Sequence, residues 1–321
     1  MRSTLFIFSA ALALAASVGS SAWAQSYPSK PVTVTSAFPP SHLDFIIRLV
    51  GEPFQAAFKQ PLVIENRPGA GGNIGAEAVT RSVPDGHTLL VTVDTVVTVN
   101  PRMYQNLKFK ADADLVPVIY LANSAQTLAC HPSVPVKSVS DLVAYAKSHD
   151  MSYASGGQGV PGHLAAEMFL AATGLRMTHI PYKGPNPALQ DLMGGAVQCG
   201  FLATAVVMPH VKSGKLNGLA VTTAKRSPIA MELPTMSEAG ITGYEAVFGE
   251  LLLAPRGTPP AVVAALNEAF GAALAQADVR SKMLALGLEF IPNTPEQAAA
   301  RVRREADKWA LVVDRLGLRA D

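Results

Sequence analysis

The chain has 321 residues, of which 49% are apolar and 16% charged, and its net charge is +2. That balance fits a folded globular protein and lacks the basic stripe of a nucleic-acid binder, so nucleic acid is excluded as a partner class. Two isolated cysteines, Cys130 and Cys199, form no metal or redox motif. They leave two readings open, one disulfide or two buried thiols.

Residues 1–24 read as an export leader. Arg2 supplies the basic start, LFIFSAALALAA the apolar core and Ala22-Trp23-Ala24 an A-x-A cleavage site. That core is well short of the ~20 residues that span a bilayer, and no cysteine stands at the cleavage point to carry a lipid. The expectation is a soluble periplasmic protein cleaved near Ala24. The roughly 300 residues that follow are enough for two lobes.

Along the chain, β-branched apolar runs alternate with amphipathic segments: PVTVTSAF, DFIIRLVGEPFQAAF, LVIENR, IGAEAVTRS and HTLLVTV. A second series follows, with TLACH, the Ser138-led SVSDLVAYAKSHD, MSYAS, HLAAEMFLAATG, THIPY, PALQDLMGG, VQCGFLA and KLNGLAVTT. This is the rhythm of βαβ units around parallel sheets. The tail is helical: Thr258 is placed to cap a helix opened by Pro259 and Pro260, and Thr294-Pro295-Glu296-Gln297 combines a cap, a first-turn proline and a capping-box partner, with Gly317 suited to the end. No flexible tether separates the series, so strands near Leu121–Ala125 and Tyr244–Leu253 are expected to cross between lobes. The expected division is residues 25–124 with 250–321 in lobe 1, and 125–249 in lobe 2.

Catalytic signatures are scarce. There is no G-x-S-x-G, H-E-x-x-H or C-x-x-C, and Gly214-Lys215 is followed by Leu216 where a phosphate loop needs Ser or Thr. The seven histidines lack metal-ligand spacing, and His163, His179 and His210 read as structural. Neither metal nor cofactor is expected, nor is the chain expected to be an enzyme. The segment SGGQGVPG spells G-x-G-x-x-G through Gly157, Gly159 and Gly162, between a strand and a helix. No acid follows about 20 residues on, where Pro181-Tyr182-Lys183 stands, so a dinucleotide is disfavoured. Two readings remain: a turn whose N–H groups and helix dipole receive a small anion such as a carboxylate, or glycines that only close a tight connection.

ENRPGAGGNIGAEAV (65–79), PDGHTLL (84–90), HLAAEMF, HIPYKGPNPALQDLMGG (179–195) and PTMSEAGITGYE (234–245), in that order, closely resemble the extracytoplasmic solute receptors of tripartite tricarboxylate transporters, the Bug-type receptors. The resemblance covers nearly all of the chain after the leader. It implies a type II periplasmic binding-protein fold, two α/β lobes joined by crossing strands with a ligand cleft between them. It also implies a monomeric receptor that binds a small organic carboxylate and hands it transiently to membrane transporter subunits. The ligand is held, with ordered waters, between two strand-to-helix loops.

On this sequence those loops are Phe38–Asp44 and Ser155–His163. The first yields Pro40, Ser41, His42 and Asp44 as candidates. It departs from the family's F-P-A-G-G-x-x-D pattern by replacing the glycines and losing a residue; Ser41 and His42 offer a hydroxyl and an imidazole, and Asp44 is either a loop orienter, a ligand contact or an ordinary cap. The second yields Ser155, Gly157, Gln158, Gly159, Val160 and His163, with Val160 where the family often has a hydroxyl. Strand ends facing the cleft add Asp94, Thr95, Thr98 and Thr204. Tyr182 and Lys183 read as structural, and GAGGNIG as a packing loop or a ligand contact. Gly249 aligns with a wall position that is often Trp, so a wider pocket and a larger or more apolar acid are expected. An exported hydrolase-like enzyme, or a sensor serving a signalling partner, are the competing readings.

Overall fold

The computed structural model describes residues 27–320; the expected leader and its cleavage site lie outside them. The first lobe opens with β1 (Val32–Ser36), α1 (His42–Phe58), β2 (Leu62–Asn66), α2 (Asn73–Thr80), β3 (Thr88–Val93) and three short helices, α3 (Thr95–Thr98), α4 (Asn100–Met103) and α5 (Ala111–Asp114). The long strand β4 (Leu115–Cys130) leads into α6 (Val139–Ala146), β5 (Ser152–Ser155), α7 (Pro161–Thr173), β6 (Thr178–Pro181), α8 (Pro185–Met193), β7 (Cys199–Ala203), α9 (Thr204–Lys212) and β8 (Asn217–Val221). β9 (Val247–Pro255) then returns to the first lobe, followed by α10 (Pro260–Ala275), α11 (Ala277–Ala285) and α12 (Pro295–Leu316).

The strands run in the order β2-β1-β3-β9-β4-β7-β5-β6, with β8 also paired to β4. β1 is parallel to β2 and β3, and β5 to β6 and β7, whereas β4 and β9 are antiparallel to their neighbours. β4 changes partners along its length: Leu115–Ala125 pairs with β9, and from Gln126 onward it runs between β7 and β8. The segments expected to cross therefore lie in and just before this β4–β9 ladder.

Each lobe buries apolar side chains on both faces of its strands, as a helix-covered sheet requires. In lobe 1, Val34, Leu89 and Leu252 pack under Ile46 and Ile47 of α1 and Leu266 and Phe270 of α10. In lobe 2, Tyr153, Leu128 and Phe201 pack under Phe169 of α7. The helix α12 joins them, because its Trp309 and Val313 sit in the lobe 2 core and the Trp309 ring stacks on Phe248 of β9 at 5.3 Å.

Local chemistry sets the helix ends. The Ser138 hydroxyl accepts from Asp141 N, and Thr294 with Gln297 forms the expected capping box, closed at the far end by Gly317 at φ +61°. Thr258 corrects its expectation. Pro259 occupies the N-cap of α10, and the Thr258 hydroxyl donates back to Pro255 O at 2.8 Å, closing the preceding turn. Cys130 and Cys199 face each other directly across β4 and β7 and form a disulfide, closing a loop of 69 residues.

Candidate functional site

A cavity of about 230 Å3 lies where β4 and β9 cross, walled by both lobes. Four helices present their first residues to it. From lobe 1 comes the start of α1, Ser41 to Leu43; from lobe 2 come Val160 to Gly162 of α7, Gly184 to Pro187 of α8 and Ala203 to Val206 of α9. No side chain caps α7, α8 or α9. A helix start carries partial positive charge, so their convergence favours an anion, although Pro161 of α7 and Pro185 and Pro187 of α8 offer no N–H. Lys183 adds a full charge to the same wall, and no described residue forms an ion pair with it. Apolar wall is supplied by Phe38, Pro40, Val160, Pro185, Leu286 and Leu288, and polar wall by Ser124, Gln126, Asn186, Thr204 and Glu250.

The first loop is shaped by side chains. Asp44 is buried and accepts from Ser41 N at 3.1 Å and from Asn66 Nδ2 at 3.0 Å, while Asn66 also donates to Phe38 O at 3.1 Å. Ser41 accepts from Leu43 N, completing a cap that fixes the loop without glycines. Pro40, Ser41 and His42 line the cavity; Asp44 does not, and it orients the loop from behind.

His42 Nε2 lies 3.0 Å from Glu250 Oε1 of β9. Burial disfavours the imidazolium, yet the Glu250 carboxylate, followed by Asp44, more than offsets this and holds His42 above its ordinary pKa. Glu250 and Gly249 point to opposite faces of β9, since side chains alternate along a strand. A side chain at Gly249 would collide with the Tyr120 ring and Asp94 Oδ2, so that space is filled from the other face and the absence of a Trp there does not widen the cavity.

The second loop is shaped by its backbone and turns most of its polar groups away. Gly159 N donates to His163 Nδ1 at 3.1 Å, and the His163 ring stacks on His179 at 4.2 Å, which stacks on Tyr153 at 4.8 Å. Burial, with the neighbouring His179 adding to it, depresses His163 to about 3; burial alone brings His179 to about 4, so both are neutral at pH 7. The Ser155 hydroxyl lies 2.9 Å from Gly157 O and 2.7 Å from His179 Nε2. Gln158 Nε2 donates to Arg319 O, and a Cβ on Gly159 would touch Asn100 and Met103 of α4. Ser155, Gly157, Gln158, Gly159 and His163 therefore stand behind the cavity wall, which takes Gly156, Val160, Pro161 and Gly162 from this segment.

Among the strand-end candidates, Thr204 lines the cavity with its hydroxyl 3.0 Å from that of Thr127. Asp94, Thr95 and Thr98 are buried elsewhere, the Thr98 hydroxyl bonded to Asp94 O. Burial raises Asp94 to about 8 against the pull of Arg301, with Glu305 and Glu250 adding to the rise. GAGGNIG also stays off the wall: a Cβ on Gly75 would strike the Ala37 backbone, and Asn73 accepts from Asn100 Nδ2. The sequence reading missed Glu250, Gln126 and Asn186 and assigned Lys183 to structure, although all four line the cavity. A signal for Glu250 was present, since an acid inside the apolar run VFGELLLAP must be buried with a partner or a purpose.

Among the described residues, no group of three or more His, Cys, Asp or Glu is placed to hold a metal, and no helix is long and apolar enough to cross a membrane. Residues 46–318 match the family model described as tripartite tricarboxylate transporter family receptor. Protein BugT of Bordetella pertussis is 33% identical over 97% of this chain and 95% of its own. Two solved structures superpose closely: R. palustris Rpa4515 with adipate, at TM-score 0.85 and 33% identity over 91% of this chain and 99% of that one, and MatC from Rhodopseudomonas palustris with bound malate, at TM-score 0.82 and 31% identity over 89% and 100%. With the match running through both lobes and the cavity between them, the chain belongs to the receptor family of the tripartite tricarboxylate transporters.

Proposed function

We infer that the protein is a periplasmic receptor that captures a small organic carboxylate between its lobes and delivers it to the membrane subunits of a tripartite tricarboxylate-type transporter. The observation that carries this reading is the convergence of four helix starts from two lobes on one cavity. The adipate and malate held by two structural relatives support the same ligand class. The cavity volume falls below the ~300–1,000 Å3 of sites for drug-sized ligands, which suits a small acid.

Residues 25–124 with 250–321 act as one lobe and 125–249 as the other. An acid that bridges α1 to α7, α8 and α9 makes both sets of contacts only in the closed form and shifts the population toward it. The leader 1–24 would direct export, with cleavage near Ala24, and the receptor would act as a monomer. Capture needs no bond chemistry, and the wall residues suit that: the Ser41 hydroxyl serves the α1 cap, Thr204 pairs with Thr127, and His42 faces a carboxylate instead of a nucleophile.

The test is a thermal-shift screen of the chain from Gln25 against aliphatic, hydroxy and aromatic mono- and dicarboxylates, with mass spectrometry of the recovered ligand. A bound acid at about 100 times its Kd adds roughly 2.7 kcal/mol to stability. An unshifted melting temperature across the whole panel overturns the receptor reading, and a chemically altered acid replaces it with an enzyme.

A further inference from the structure

Glu250 is the one acid on the cavity wall among the described residues, and its side chain is 1% exposed. Its Oε1 lies 3.0 Å from His42 Nε2 in ion-pair contact, and neither Oε1 nor Oε2 makes a hydrogen bond to a described residue. A buried carboxylate oxygen left without a donor is strongly unfavourable. A ligand that fills the cavity can bring that donor. An ionised second carboxylate on the ligand has no hydrogen to give to Oε2.

The anion-receiving groups are arranged around this acid in a way that fixes which end of the ligand reaches it. Lys183 and the uncapped starts of α7, α8 and α9 belong to lobe 2, whereas Glu250 stands on β9 beside His42, at the lobe 1 helix start that the Ser41 hydroxyl already caps. A ligand whose carboxylate faces the first set turns its other end toward the second. A protonated His42, 3.0 Å away, balances the charge of Glu250, so a neutral donor meets the need and a cationic one is not required.

We propose that Glu250 is a specificity-determining acceptor that takes a hydrogen bond from a hydroxyl or N–H at the far end of the bound acid, so that the protein selects carboxylates carrying such a donor over plain dicarboxylates. The proposal rests on the receptor reading and narrows its ligand class.

Isothermal titration calorimetry with hexanoate, 6-hydroxyhexanoate, 6-aminohexanoate and adipate, and with butyrate, 4-hydroxybutyrate, 4-aminobutyrate and succinate, tests it. In the unmodified protein the hydroxy or amino acid of at least one length binds at least about tenfold tighter than both the plain acid and the diacid of that length, the ratio expected for one hydrogen bond to a charged group. The hydroxy against amino arms identify the donor. In Glu250→Gln that preference over the diacid falls by about tenfold or more, because the amide offers a carboxylate a donor that Glu250 lacks. His42→Gln, at a half-buried helix start, is the second variant: it removes the ionisable partner of Glu250 and raises the ratio of amino to hydroxy acid binding. Tightest binding of the diacid at both lengths, or an unchanged preference in both variants, overturns the proposal and leaves the receptor reading intact. Binding of none of the eight acids also overturns it, and the receptor reading is then decided separately by the wider carboxylate screen.

Discussion

The two strand-to-helix loops that face each other across the cleft solve one geometric problem in opposite ways. Phe38–Asp44 carries no glycine and is held by side chains, with Asp44 bonded to Ser41 N and Asn66. It can then turn His42 into the cavity. Ser155–His163 turns on glycines: Gly157 and Gly159 adopt positive φ, Gly162 is pressed against the carbonyl of Phe201, and the Ser155 and His163 side chains accept from the N–H groups of Gly157 and Gly159. Its polar side chains close on one another and on the C-terminal tail, so it contributes wall and helix dipole but few side-chain donors. A glycine-rich turn beside a ligand need not be the turn that reads the ligand.

The difference can be broken from either side. The largest expected effect lies in lobe 2, whose β4–β7 pair is cross-linked by Cys130 and Cys199. For a closed loop of that length the chain-entropy account gives about 4 kcal/mol, and removal of native bridges costs about 2–5 kcal/mol. Urea unfolding of C130A/C199A is expected to show that loss; a midpoint equal to wild type contradicts it. Next comes Gly162→Ala, whose methyl has no room beside Phe201 O, with a loss of about 1–3 kcal/mol in the same assay. The matched change in the other loop, Ser41→Ala, removes a side-chain cap and is expected to cost about 1 kcal/mol. If Ser41→Ala is the more damaging of the two, the contrast between a glycine-turned and a side-chain-capped loop fails.

The smallest effects are slopes with pH, and here the histidines of the two regions oppose each other. His42 is raised in the fold, so its stabilisation is present below the unfolded value of about 6.5 and fades as pH rises through the folded one. His163 and His179 are lowered to about 3 and about 4, so their neutral stack is unpenalised above about 6.5 and loses stability as pH falls from there toward 4. Melting curves of His42→Gln should fall below wild type at pH 6 and converge at pH 9. His179→Phe should gain on wild type at pH 5 relative to pH 8. Parallel curves for either variant would remove that histidine from the argument.

Much of the fold was legible because its signals are local or carried by long motifs. The alternation of strands and helices, the caps at Ser138 and Thr294 and the family motifs all stand in contiguous residues. Thr258 was misread because a proline next to it could take the N-cap itself. Within the site, Pro40, Ser41, His42, Val160 and Thr204 fall on the cavity wall because strand ends and helix starts of an α/β sheet gather there. Gly157, Gln158, Gly159 and His163 do not, since Gln158 bonds Arg319, Gly159 packs on α4, Gly157 abuts Tyr182 O and His163 stacks on His179, all set by contacts the local sequence does not show. Gly249 and Glu250 show how narrow the margin is. One step along a strand changes the face, and nothing local says which of the two looks into the cleft.

The central claim is that an acid binds where the helix starts of lobe 2 open into the cavity. Ala205, in the first turn of α9, lines that wall. Ala205→Asp places a carboxylate where the ligand's should sit, in a position where a helix dipole favours it, so the fold is expected to keep its melting temperature. Calorimetric titration of wild type and Ala205→Asp with the tightest acid of the screen is the decisive measurement. The expected result is a loss of affinity of about 100-fold or more, as a like charge occupying the site demands. Equal affinity in the two proteins would place the acid elsewhere and contradict the account.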